Sequence, residues 1–165
     1  MIFPFNAGEV FRIALMIEDN GHFFYETAAA KPFPADIVKL FKDLAVEELS
    51  HKAIFNALLK DLPPQTTTAT VWDPDNELDQ YLKAMASEHV FNQKPEAIAA
   101  KLAGINTPTD AVRMAMGFER DTIVFFLELQ SVTDDPESRQ QITKLVDEER
   151  KHLKKLTNIL EKIKG

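Results

Sequence analysis

One arrangement of ligand-type residues occurs twice in this chain. Glu18 is followed thirty residues later by Glu48-Leu-Ser-His51, and Glu119 is followed thirty residues later by Glu149-Arg-Lys-His152. In each half the histidine stands thirty-three residues after the lone glutamate. A stray Glu-x-x-His is common; two, each with a glutamate at the same upstream distance, are not. In a helix, residues i and i+3 share a face, so each Glu-x-x-His can grip one ion. One Glu plus one Glu-x-x-His, given twice, is the set with which a four-helix bundle holds two metal ions in its core.

Hydrophobic periodicity places these residues inside helices. Four amphipathic segments are expected, at about 7–30, 35–60, 108–131 and 136–163. Their apolar stripes run Phe11, Leu15, Glu18, His22, Tyr25, Ala29; then Ile37, Phe41, Leu44, Glu48, His51, Phe55, Leu58; then Val112, Ala115, Glu119, Ile123, Phe126, Leu129; and Ile142, Leu145, Glu149, His152, Leu156, Ile159, Ile163. In every stripe a glutamate interrupts the hydrophobic run. A carboxylate there is expensive to bury unless paired or bound to metal, and four at matching depth require a common explanation.

The punctuation agrees. Thr107-Pro108 and Asp135-Pro136 read as N-cap and N1 pairs opening the third and fourth segments. Lys31-Pro32-Phe33-Pro34 separates the first from the second. The expected fold is all-α: a four-helix bundle made of two repeated hairpins in a single domain, 1–165. Hairpin 1 covers about 7–60, a long crossover about 61–107, and hairpin 2 about 108–163. Within the crossover, Pro63-Pro64-Gln65-Thr66-Thr67-Thr68 reads as extended loop. Residues 76–91 look helical, 94–103 suit a second short helix ended by Gly104, and Trp72 suits an anchor.

Composition narrows the chemistry. The 165 residues contain no cysteine, which excludes disulfides, thiolate zinc sites and iron–sulfur clusters. Carboxylate and imidazole remain as ligands. A formal charge of −7 argues against a nucleic-acid partner. Acidic residues enter early at the N-terminus, so no secretory signal is read there, and no uncharged apolar stretch is long enough for a membrane span. The expected location is cytoplasmic.

Four glutamates balance two divalent ions in charge, so a filled site is close to neutral. Without metal the glutamates crowd like charge into a low-dielectric core, and their pKa values are expected to rise until some take up protons. Mixed oxygen and imidazole ligation suits iron, with manganese or zinc as other occupants.

The pattern Glu18-x6-Tyr25…Glu48-x-x-His51, with Glu119-x6-Phe126…Glu149-x-x-His152, resembles the rubrerythrin branch of the ferritin-like superfamily. The phrases Glu18-Asp-Asn-Gly-His-Phe-Phe-Tyr25 and Glu119-Arg-Asp-Thr-Ile-Val-Phe-Phe126 look like that branch's two ligand-bearing helices, and the likeness covers about 11–60 and 108–160. The resemblance implies a ferritin-like bundle holding two iron ions, usually a homodimer, that acts as an oxidoreductase on peroxide or dioxygen. Glu18, Glu48, His51, Glu119, Glu149 and His152 would be its ligands. Rubrerythrins often append a cysteine-ligated rubredoxin domain; without cysteine, this chain would need an external electron-donor protein. Peroxide-reducing members carry an extra glutamate on the third helix, where Thr122 or Met116 stands here. Two other functions share the pattern: ferrous-iron oxidation or handling, and a metal-stabilised bundle acting through a partner.

Other residues have plainer readings. Tyr25, two turns after Glu18, is the candidate catalytic residue: it could hydrogen-bond a ligand carboxylate, donate an electron, or be a core tyrosine needing one partner. Glu47 and Glu148 lie about 100° around the helix from the ligands and are expected to face solvent, with replacement of the predicted ligand as the alternative. His22 is expected to border the core, with orientation of a ligand as the alternative. Glu88 and His89 are adjacent, face different ways and make poor co-ligands.

Overall fold

The computed structural model describes residues 7–62, 80, 84, 94–131, 133 and 135–164. Among the described residues these helices are bounded: α1 (Ala7–Ala29), α2 (Ala35–Asp61), α3 (Pro95–Ala103), α4 (Pro108–Ser131) and α5 (Pro136–Lys164). The four long helices match the four periodic segments to within a residue at each end. Of the crossover, the extended loop, Trp72, Glu88 and His89 lie outside the described residues, as does the 76–91 segment apart from Gln80 and Ala84, which are helical.

The helices α4 and α5 start where a side chain supplies a cap. Thr107 Oγ1 accepts the Asp110 amide at 3.1 Å, and Asp135 Oδ2 accepts the Ser138 amide at 2.7 Å. Both satisfy donors that a helix start leaves open, with proline at the first helical position. Between α1 and α2 the two prolines hold a short extended turn, and Phe33 N–H donates to Lys31 O at 2.8 Å. Gly104 does end α3, but at φ −74°, so its glycine freedom is not what ends the helix.

α1 pairs with α2, and α4 with α5, as two hairpins; α2 meets α5 and α1 meets α4 across the middle. The third helix lies on α1, burying Ile98 and Leu102, and Lys31 Nζ donates to Ile105 O at 2.6 Å. The core runs the length of the bundle, and aromatic side chains stitch the hairpins together. On one side of the glutamates, Phe24 of α1 meets Phe118 of α4 edge-on at 4.7 Å, and Tyr25 and Phe41 stack beside them. On the other, Phe55 of α2 meets Phe126 of α4 at 4.9 Å, with Phe11 at 6.1 Å from Phe55. These rings bury large apolar area and leave between them a thin polar layer. No helix among the described residues is long and apolar enough to cross a membrane.

Candidate metal centre

All seven stripe residues named for α2, Ile37 to Leu58, are buried. The helical period that buries Phe41 and Leu44 must also bury Glu48 and His51. The same logic carries Glu18, Glu119, Glu149 and His152 inward, none more than 4% exposed. Burial is thus imposed on six polar side chains by the hydrophobic residues around them. They meet at mid-bundle as two overlapping groups: Glu18, Glu48, His51 and Glu149, and Glu48, Glu119, Glu149 and His152, the ligand atoms of each lying within 4.8 Å of one another.

The overlap has a two-fold character. His51 Nδ1 lies 3.5 Å from Glu18 Oε2, 3.6 Å from Glu48 Oε2 and 2.8 Å from Glu149 Oε1. His152 Nδ1 lies 3.5 Å from Glu119 Oε1, 3.3 Å from Glu48 Oε1 and 3.1 Å from Glu149 Oε2. Glu48 and Glu149 therefore turn one oxygen toward each histidine, while Glu18 and Glu119 each serve one side. The two imidazoles stack nearly parallel, 5.2 Å apart.

Proximity is not matched by hydrogen bonding. Both oxygens of Glu18, both of Glu149, Nδ1 of His51 and both nitrogens of His152 are buried without an aligned partner. Each such atom costs about 1–3 kcal/mol. Lone pairs that converge within a few ångströms, yet do not point donor to acceptor, are arranged around shared centres. Carboxylate oxygen and imidazole nitrogen in that arrangement fit a pair of iron or manganese ions.

Electrostatics without metal divide the set. Burial, then the neighbouring charge of Glu48, lifts Glu18 well above the usual carboxylate range; burial and the charge of Glu149 do the same for Glu119. Burial also pushes Glu48 and Glu149 upward, but the facing imidazoles outweigh it and hold both below their ordinary value. Burial lowers His51 and His152, and the surrounding carboxylates outweigh that too, leaving both well above the normal imidazole range. The expectation of rising glutamate pKa values thus holds for the two terminal glutamates and reverses for the two between the imidazoles.

Around the six, Tyr25 Oη donates a hydrogen bond to Glu119 Oε1, linking α1 to α4. Two of the three readings open for Tyr25 are met together: it is a fully buried core tyrosine, and its hydrogen-bond partner is a ligand-type carboxylate. Burial, then the charge of Glu119, raises the phenol well above its ordinary value, so it stays protonated and donating. Glu47 is a correction to the sequence reading. It is only half exposed: its Oε2 lies 2.7 Å from His152 Nε2, and Lys155 Nζ holds both its oxygens at 2.7 Å. A glutamate placed toward solvent by a helical wheel reaches across to α5 because α2 and α5 run close together. Glu148 instead pairs with Lys151 on its own helix at 2.5 Å. His22 is outside the cluster, its Nδ1 2.8 Å from Ala45 O, joining α1 to α2 at the core's edge. Thr122, three residues after Glu119, and Met116 are both buried, and neither offers a carboxylate.

Gly21 was not singled out by sequence. A Cβ there would stand 3.4 Å from Cγ, Cδ and Oε2 of Glu48, in ordinary van der Waals contact with that carboxylate. Its only trace in the sequence is a glycine inside a helical stripe.

The sequence model of the rubrerythrin family matches residues 9–160, nearly the whole chain and the whole cluster. The chain belongs to the rubrerythrin family. Its fold is ferritin-like: the crystal structure of a Thermotoga maritima protein described as ferritin-like diiron-carboxylate superposes with a TM-score of 0.69, covering 98% of each chain at 19% identity. No curated protein matches the sequence. An offset of 101 residues carries Glu18, Glu48 and His51 onto Glu119, Glu149 and His152, all six within the matched residues.

Proposed function

We propose that this rubrerythrin-family protein is a di-iron oxidoreductase that reduces peroxide or dioxygen with electrons from an external donor protein. The observation that carries the reading is the buried set of six, with seven of its nitrogen and oxygen atoms lacking any aligned hydrogen-bond partner. Glu18 and His51 would hold one ion, Glu119 and His152 the other, and Glu48 and Glu149 both. A pair of redox-active ions supplies, when bound, one electron from each metal to an oxidant.

The chain's own residues do the rest. Tyr25 fixes the orientation of Glu119. The phenylalanine layers on either side keep bulk water out of the polar layer, which strengthens every charge interaction within it. His51 and His152 must surrender their Nδ1 protons to act as ligands, and because the carboxylates beside them must also be deprotonated to bind, those protons leave to solvent.

Ferrous-iron oxidation is the second reading, favoured by Thr122 or Met116 standing where the resemblance places the further glutamate of peroxide-reducing members. Stopped-flow mixing of the anaerobically ferrous-loaded protein with peroxide and with dioxygen separates the two. Faster oxidation by peroxide, with repeated turnover when reductant is supplied, is expected. Single oxidation events with release of ferric iron and no reductant-driven turnover would support iron handling instead. Tightly bound zinc with no spectral response to either oxidant would point to a structural bundle.

A further inference from the structure

We propose that the two metal positions are unequal by construction: Glu119 with His152 forms a held position, and Glu18 with His51 forms the position through which ions enter and leave. Tyr25 and Glu47 are the positioning residues that create the difference. The inference rests on the two-metal reading above.

The repeat makes the asymmetry visible, because each residue has a counterpart at the 101-residue offset. In the second position each terminal side chain has a neighbour reaching from the other hairpin: Tyr25 donates to Glu119, and Glu47, clamped by Lys155, places a carboxylate 2.7 Å from His152 Nε2, close but not aligned as a hydrogen bond. In the first position neither brace recurs. The counterpart of Tyr25 is Phe126, which has no hydroxyl, and both oxygens of Glu18 lack a hydrogen-bond partner. The counterpart of Glu47 is Glu148, which is turned to Lys151.

Two further observations point the same way. His51 keeps 5% side-chain exposure while His152 has none, so what opening the layer has lies on the first side. Gly21 stands against Glu48 Oε2, the oxygen on the His51 side, whereas its counterpart is Thr122. A braced ligand loses little freedom on binding; an unbraced one must be ordered by the ion itself. Partners behind a metal ligand are typically worth 10–100-fold in affinity, and two of them favour the second position.

The test is titration of the metal-free protein with Co²⁺, followed by calorimetry and by the visible spectrum of the bound ion. Two steps are expected, the first tighter by about 10–100-fold. Repulsion between neighbouring ions would split the steps even in a symmetric site, so the decisive result is which residues each step needs. His152→Ala should remove the tight step and His51→Ala the weak one. Tyr25→Phe and Glu47→Gln should weaken the tight step about 10-fold and leave the weak one unchanged. Phe126→Tyr should strengthen the weak step by supplying the missing donor. Equal loss of both steps in Tyr25→Phe, or the tight step surviving His152→Ala, would overturn the inference while leaving two metals in place. No Co²⁺ uptake by the parent would overturn the two-metal reading, and the inference with it.

Discussion

At the scale of single residues, this centre is a set of groups the fold destabilises so that they can be used. Glu18 is the clearest case, a carboxyl buried with neither oxygen hydrogen-bonded and a pKa lifted by burial. Glu18→Met should therefore make the metal-free protein more stable by about 1–3 kcal/mol while weakening metal uptake, as thermal melts with and without chelator would show. Proton linkage has a definite sign. Without metal, Glu18 and Glu119 retain protons because their pKa values are raised, and both imidazoles are protonated for the same reason; Glu48 and Glu149, whose values are lowered, stay ionised. Ligation needs all six deprotonated, so loading should expel protons and apparent affinity should rise with pH. Calorimetry in buffers of differing ionisation heat should count about four protons per pair of ions; none released would contradict these protonation states.

Among the elements, the helices read directly from sequence because one period decides both packing and ligand placement. The stripe Ile37, Phe41, Leu44, Phe55 cannot be buried without taking Glu48 and His51 with it. Asp135 and Thr107 were legible for an equally local reason, since a cap is settled within one turn. Asp135→Ala should cost about 1 kcal/mol, measurable by denaturant unfolding. What depends on the distance between helices was not legible. Glu47 points to solvent on a wheel drawn for α2 alone, and only the approach of α5 brings His152 and Lys155 to it. Gly21 likewise acquires meaning only when α2 presents Glu48 to it. Gly21→Ala should stabilise the metal-free helix by up to about 1 kcal/mol, the usual propensity gain, with the new methyl in ordinary contact with Glu48. A large loss of stability in that variant would show the approach to be tighter than 3.4 Å.

For the whole molecule, two helical hairpins carry the same half-site and the bundle puts the halves face to face. The fold's aromatic layers and the thin polar layer between them belong together: the first provide the stability, and the second holds the candidate ligands at a cost to it. Metal should then act as part of the core, raising the melting temperature in proportion to its affinity and concentration. The measurement that tests this most directly is metal content per chain after anaerobic ferrous loading of the parent, Glu48→Ala and Glu149→Ala. The account predicts about two ions per chain in the parent, with a sharp fall in each variant, because both glutamates face both histidines. A parent that binds no iron, or variants that retain both ions, would contradict it.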